Sequence, residues 1–182
     1  MQNNTVEIER GMPKLYVVSL NKFAVLFMGT AGLYMAYWFY KQWELYKLST
    51  QGKQIPVLRA LFSIFFVHSL FSKLTALYAI KSGKTSSALH TAATLFVGVN
   101  AISFVSGYVP EESEFKPFLL VLNLIFTPVL CWFCYQAQWF VNYICDDLNG
   151  ETNQTLTGAN YAWIAVGAFF WVMYIVGVIS YF

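Results

Sequence analysis

A pair of cysteines is the clearest candidate for chemistry in this sequence. Cys131 and Cys134 are separated by two residues in a long uncharged stretch. Such a pair can form and exchange a disulfide, and helical membrane proteins that pass electrons to a quinone use such pairs. No cation lies near the pair in sequence, and the third cysteine, Cys145, stands alone. We therefore expect both cysteines to be small apolar packing residues. A quinone-linked thiol-disulfide oxidoreductase is the alternative.

Ionisable residues within apolar sequence form a second group. His68 and Lys73 interrupt the apolar stretch that follows Arg59. On one helix they would lie about 140° apart, so they would not face each other. If this stretch lies at the membrane surface, its charged heads reach water or phosphate. The basic residues expected to contact anionic lipid headgroups are Arg59, Lys73, Lys81 and Lys84.

Polar and small residues in the uncharged stretches indicate helix packing. We expect His68, Asn100 and Asn123 to be buried polar packing groups or to line a pocket. Small residues recur at spacings of four or five, at Thr94, Gly98, Ser103 and Gly107. Such positions bring helices together either within one chain or between copies.

Several kinds of site are missing from the sequence. No Asp or Glu lies inside an apolar stretch, and carboxylates at membrane depth are the usual carriers of protons and coupling ions. Zinc-binding His-Glu-x-x-His, serine-hydrolase and phosphate-loop motifs are also missing. We therefore expect no catalytic residue, no metal and no cofactor. A small transporter is a second alternative.

The composition is typical of an integral membrane protein. Of the 182 residues, 58% are hydrophobic and 11% are charged, against about 25% charged in soluble domains. Periodicity of two is missing, so the sequence predicts an all-α bundle that crosses the bilayer several times, within one domain of residues 1–182. The predicted segments are 23–43, 57–80, 90–109, 117–144 and 160–182.

Segment 57–80 is the doubtful one. Only 13 residues separate Arg59 from Lys73, and runs of about 10–14 are more often interfacial or re-entrant than spanning. We therefore predict four transmembrane helices plus one shorter interfacial or re-entrant helix. Five spans are the alternative. Residues 41–90 contain seven basic residues and one acidic residue, net +6, which places this block on the cytoplasmic side.

Four stretches resemble a family of small, uncharacterised bacterial inner-membrane proteins. They are Tyr37-Trp-Phe-Tyr-Lys-Gln-Trp43, Pro56-Val-Leu-Arg-Ala60, Phe65-Phe-Val-His-Ser-Leu-Phe71 and Asn160-Tyr-Ala-Trp-Ile164. The first begins at Tyr37 and the last ends at Ile164, so together they span most of the chain. The resemblance implies a bacterial inner-membrane location and transfers no activity or catalytic residue.

Together these observations predict a non-enzymatic protein of the inner membrane. We expect it to self-associate as a dimer or trimer and to act as an accessory or lipid-contacting component, with a pocket or pore between subunits as a further feature. Its expected partners are the lipid bilayer, further copies of itself and other inner-membrane proteins, but no nucleic acid.

Overall fold

A computed structural model describes residues 12–181, and this part of the chain contains helices but no strand. The seven α-helices are α1 (Leu20–Gly29), α2 (Tyr34–Thr50), α3 (Pro56–Leu61), α4 (Ser63–Ser82), α5 (Ala88–Ser106), α6 (Lys116–Ile144) and α7 (Gly158–Ile179). A single 3-10 turn, Glu151–Asn153, precedes α7. Helices α4 to α7 are long and apolar enough to cross a membrane, and α1 is a shorter apolar helix. The predicted class, four long apolar helices plus a shorter one, is confirmed.

The shorter helix is not the one expected. The first apolar stretch, predicted as one span over 23–43, is divided into α1 and α2 by a turn in which Ala31 (φ 52°) and Gly32 (φ 83°) adopt positive φ. Thr30 stabilises the turn on both sides: its hydroxyl donates to the Leu26 carbonyl (2.7 Å) and accepts from the Tyr34 amide (2.9 Å). Backbone groups that a helix break would leave unpaired are therefore satisfied locally.

Conversely, the doubtful segment 57–80 contains a long helix. Arg59 belongs to the separate short helix α3, and α4 then runs for 20 residues through Lys73. The Lys73 ammonium lies 4.9 Å from the centre of the Tyr46 ring, a cation–π contact that makes a lysine in apolar sequence less costly. The charge therefore does not end the helix.

The core is concentrated at one end of α6. Helices α1, α2, α4 and the first half of α5 pack around its last 14 residues, with Trp38, Phe71, Phe96 and Cys134 inaccessible to solvent. Helix α7 begins with a reciprocal cap between Thr157 and Asn160, and most of its surface is exposed.

Contact between α7 and α1 requires glycine. A Cβ on Gly167 would lie 2.2 Å from the Gly29 carbonyl oxygen, and one on Gly29 would lie 3.2 Å from the Ile164 side chain. The Trp171 indole then donates to the Met28 carbonyl (2.6 Å). The last turn of α1 is therefore held directly against the middle of α7.

Candidate ligand-binding cavity

A cavity of about 470 Å³ lies between the α1–α2 turn and the start of α7. This volume falls within the range of small-molecule sites. The lining is mostly apolar and contains no charged side chain: it consists of Leu26, Thr30, Leu33, Tyr34, Ala36, Tyr37, Thr157, Ala159, Asn160 and Trp163.

Tyr34 is the buried polar residue of this lining that lacks a hydrogen bond. Its side chain is 7% exposed, its hydroxyl has no hydrogen-bond partner among residues 12–181, and the Tyr16 side chain lies close to it. By contrast, the Thr30 hydroxyl is bonded within the turn, and Thr157 and Asn160 cap each other. A buried hydroxyl without a partner costs about 1–3 kcal/mol, so an acceptor that enters the cavity would recover this energy.

Two further tyrosines surround Tyr34. The ring centres of Tyr34 and Tyr37 lie 5.8 Å apart, and those of Tyr37 and Tyr16 lie 6.0 Å apart in an edge-to-face arrangement. Tyr16 comes from the non-helical segment that precedes α1. This segment therefore packs against a tyrosine that lines the cavity.

Buried amide side chains hold that segment in place. Gln42 accepts from the Tyr16 amide (3.1 Å) and donates to the Tyr16 carbonyl (3.0 Å). Gln138 donates to the same carbonyl (3.2 Å), and Asn142 donates to the Val18 carbonyl (3.0 Å). The three side chains are fully buried. We call Gln42, Gln138 and Asn142 the amide cluster. It replaces the partners that a helix or sheet would give this backbone.

A turn after α6 supports the same segment. Asn153 donates to the Val17 carbonyl (2.9 Å) and accepts from the Lys22 ammonium (2.6 Å). Asp147 fixes this turn by accepting from the Thr152 amide and hydroxyl, and these hydrogen bonds lower the pKa of the Asp147 carboxyl. The segment that packs against Tyr37 is thus held by residues far apart in sequence.

The expected polar packing residues have different surroundings. Asn123 donates to the Ser106 hydroxyl (2.7 Å) and so joins α6 to α5. It also lines a second cavity, of about 440 Å³, with Trp171 and Tyr174. The Asn100 amide donates to the Phe96 carbonyl (2.8 Å) within its own helix. His68 lies beside His90, a residue for which no role was predicted.

Most of the basic residues expected at lipid headgroups have partners within the chain. The Arg59 guanidinium lies 4.2 Å from the centre of the Trp43 ring, and the Lys73 ammonium contacts Tyr46. Lys81 pairs with Asp146 and donates to the Ile144 carbonyl (2.8 Å). Lys84 is exposed in the connection between α4 and α5.

Cys131 and Cys134 are free thiols on α6, exposed by 7% and 0%. Their burial in the core accords with a packing role, because a thiolate nucleophile requires access and stabilisation of its charge.

No protein-family model, curated protein or solved structure matches this chain.

Proposed function

We propose that this chain is a non-enzymatic membrane protein that binds a small, uncharged and mostly apolar molecule in the cavity beside Tyr34. The observation that carries the proposal is the buried, unpartnered Tyr34 hydroxyl in a lining without charged side chains. A charged ligand would lose its hydration there without gaining a counter-charge. An ester or ketone oxygen on an apolar chain would instead accept one hydrogen bond.

Photolabelling tests this proposal. The full chain in lipid nanodiscs is treated with the methyl ester of a diazirine-bearing ten-carbon fatty acid, and peptide mass spectrometry locates the label. We expect labelling of residues that line the cavity. Methyl decanoate should compete, whereas decane should compete about two- to twelvefold less, because one hydrogen bond contributes about 0.5–1.5 kcal/mol. Decanoate should compete less still, because a buried charge costs more than a lost hydrogen bond.

Tyr34→Phe gives the decisive comparison. It should weaken competition by methyl decanoate by about two- to twelvefold and yet stabilise the ligand-free protein, since a buried unpaired hydroxyl is removed. A merely structural tyrosine would not produce these opposite effects. Tyr40→Phe is the control on the same helix, because the Tyr40 hydroxyl donates to Glu44 instead. Equal competition in Tyr34→Phe and the wild type would overturn the proposal.

We also infer that copies of the chain associate through one face of α5. Thr94 and Gly98 are exposed there, and a Cβ on Gly98 would meet nothing within 4 Å. Close approach of helix backbones at small residues drives association in lipid. The particle mass in nanodiscs should be that of a dimer or trimer, and a monomer mass would contradict the inference.

We propose the bacterial inner membrane as the location of this multi-pass protein, on the resemblance of its four sequence motifs. Because α4 is long enough to cross, we propose the cytoplasmic side only for residues 41–62 of the block 41–90. Four basic residues and one acidic residue lie there, which agrees with the excess of Lys and Arg in cytoplasmic loops.

A further inference from the structure

The two histidines of the chain meet although 21 residues separate them in sequence. His68 lies on α4 and His90 in the first turn of α5. Their ring centres are 5.5 Å apart, and the ring planes are inclined by 60°. His68 is half-buried, whereas His90 is exposed. The pair is therefore packed on one side and accessible on the other.

This separation matches the distance between two imidazoles bound to one metal ion. With a zinc–nitrogen distance of about 2.0–2.1 Å and tetrahedral angles, the centres of two bound rings lie roughly 5 Å apart. A shift of the side chains by a fraction of an ångström would bring the ring centres to that distance. Neutral imidazole is a good ligand for Zn²⁺, Cu²⁺ and Ni²⁺.

Three lysines lie near the pair in sequence. Lys73 on α4 lies against the Tyr46 ring, Lys81 is paired with Asp146, and Lys84, in the connection before α5, is exposed to solvent that screens its charge. No group of three or more His, Cys, Asp or Glu side chains suited to a metal occurs in residues 12–181. Ligands beyond the two imidazoles would therefore come from water at the exposed side of His90.

We propose that His68 and His90 form an open two-histidine site for a divalent transition-metal ion, which joins α4 to α5. The two rings supply two nitrogen ligands, and water completes the coordination. Bound metal stabilises the helix pair. This stabilisation increases with the logarithm of the ratio of metal concentration to dissociation constant. The open positions would accept a further donor from a ligand or partner.

Cu²⁺ and Zn²⁺ are the probes. The full chain, without a histidine tag, is placed in nanodiscs and titrated with Cu²⁺, and electron paramagnetic resonance counts the nitrogen ligands. We expect two imidazole nitrogens per chain and weaker binding at acid pH, because the ligands must be deprotonated. His68→Gln and His90→Gln should each weaken Zn²⁺ binding at least tenfold. A variant that binds as the wild type does would overturn the shared site.

A second measurement requires no variant. Zn²⁺ should protect both histidines of the wild type from diethyl pyrocarbonate over the same concentration range, as quantified by peptide mass spectrometry. Protection of only one ring, or of neither, would contradict the proposal. Tyr40→Phe is the control, since the Tyr40 hydroxyl bonds to Glu44 within α2 and this variant should bind Zn²⁺ unchanged.

Discussion

The two halves of α6 have opposite surroundings although both are apolar. After Pro128 the helix contains nine buried residues, which include Cys134, Gln138 and Asn142. Before Pro128 its only buried residue is Lys116, whereas Phe118 and Ile125 are 64% and 54% exposed. The later half is packed like the interior of a globular protein, and the earlier half depends on lipid or another chain to cover it.

The comparison shows where this protein places its polar groups. The packed half contributes Gln138 and Asn142 to the amide cluster, which Gln42 of α2 completes and which binds the backbone of a non-helical segment. The exposed half has a single amide, Asn123, which bonds to the neighbouring helix. Buried networks are costly when broken, because each orphaned group loses its partner in a low-dielectric interior. Substitutions in the two halves should therefore differ in cost.

Gln138→Leu should have the largest effect. It removes the acceptor of the buried Trp38 indole and the donor to Asn142, so at least two buried groups lose a partner. At about 1–3 kcal/mol for each group, the free energy of unfolding should fall by roughly 3 kcal/mol or more. Reversible unfolding in mixed micelles with increasing SDS measures this change.

The control for this prediction is a glutamine two residues earlier in the sequence. Gln136 is half-buried on the same helix, and Gln136→Leu should change the free energy of unfolding by no more than about 0.5 kcal/mol. If both variants lost the same stability, the amide cluster would not be the feature that distinguishes the packed half.

Gly167→Ala should have the next largest effect. Its new Cβ would lie 2.2 Å from the Gly29 carbonyl oxygen, so α7 must move away from α1. Overpacking of this kind costs about 1–3 kcal/mol. Gly98→Ala on α5 is the matched control, because it meets nothing within 4 Å and should stabilise its helix by about 0.5–1 kcal/mol. A loss of stability in both variants, as judged by the same SDS unfolding, would contradict the assignment of Gly167 to a close contact.

The sequence predicted the helical class, because long uncharged runs without a period of two indicate helices. Four long apolar helices were also predicted, but α4 takes the place of the first predicted span, 23–43. The sequence did not predict the break between α1 and α2. Run length carries no information about a turn, and Gly32 was the available signal for one. It also misjudged α4, because the partner of Lys73 is Tyr46, 27 residues away.

The candidate site was harder to predict than the fold. Tyr34 is one of 12 tyrosines, and nothing in its sequence context marks its hydroxyl as unpartnered. The bond from Gln138 to Tyr16 spans 122 residues, beyond the reach of any periodicity. The spacing of Gln138 and Asn142, four residues apart in an uncharged run, was the signal that could have indicated a buried polar face.

Gly98→Leu should have the smallest effect on stability and a clear effect on assembly. Because Gly98 faces open space and leucine favours a helix more than glycine does, Gly98→Leu should raise the free energy of unfolding by no more than about 1 kcal/mol, while its larger side chain separates the helix backbones of two copies. The particle mass in nanodiscs should fall from dimer or trimer to monomer. Gly177→Leu on α7 is the control, since Gly177 is equally free of neighbours but lies on another helix. Loss of assembly in the Gly177 variant alone would place the contact on α7 and show that the exposed face of α5 is covered by lipid.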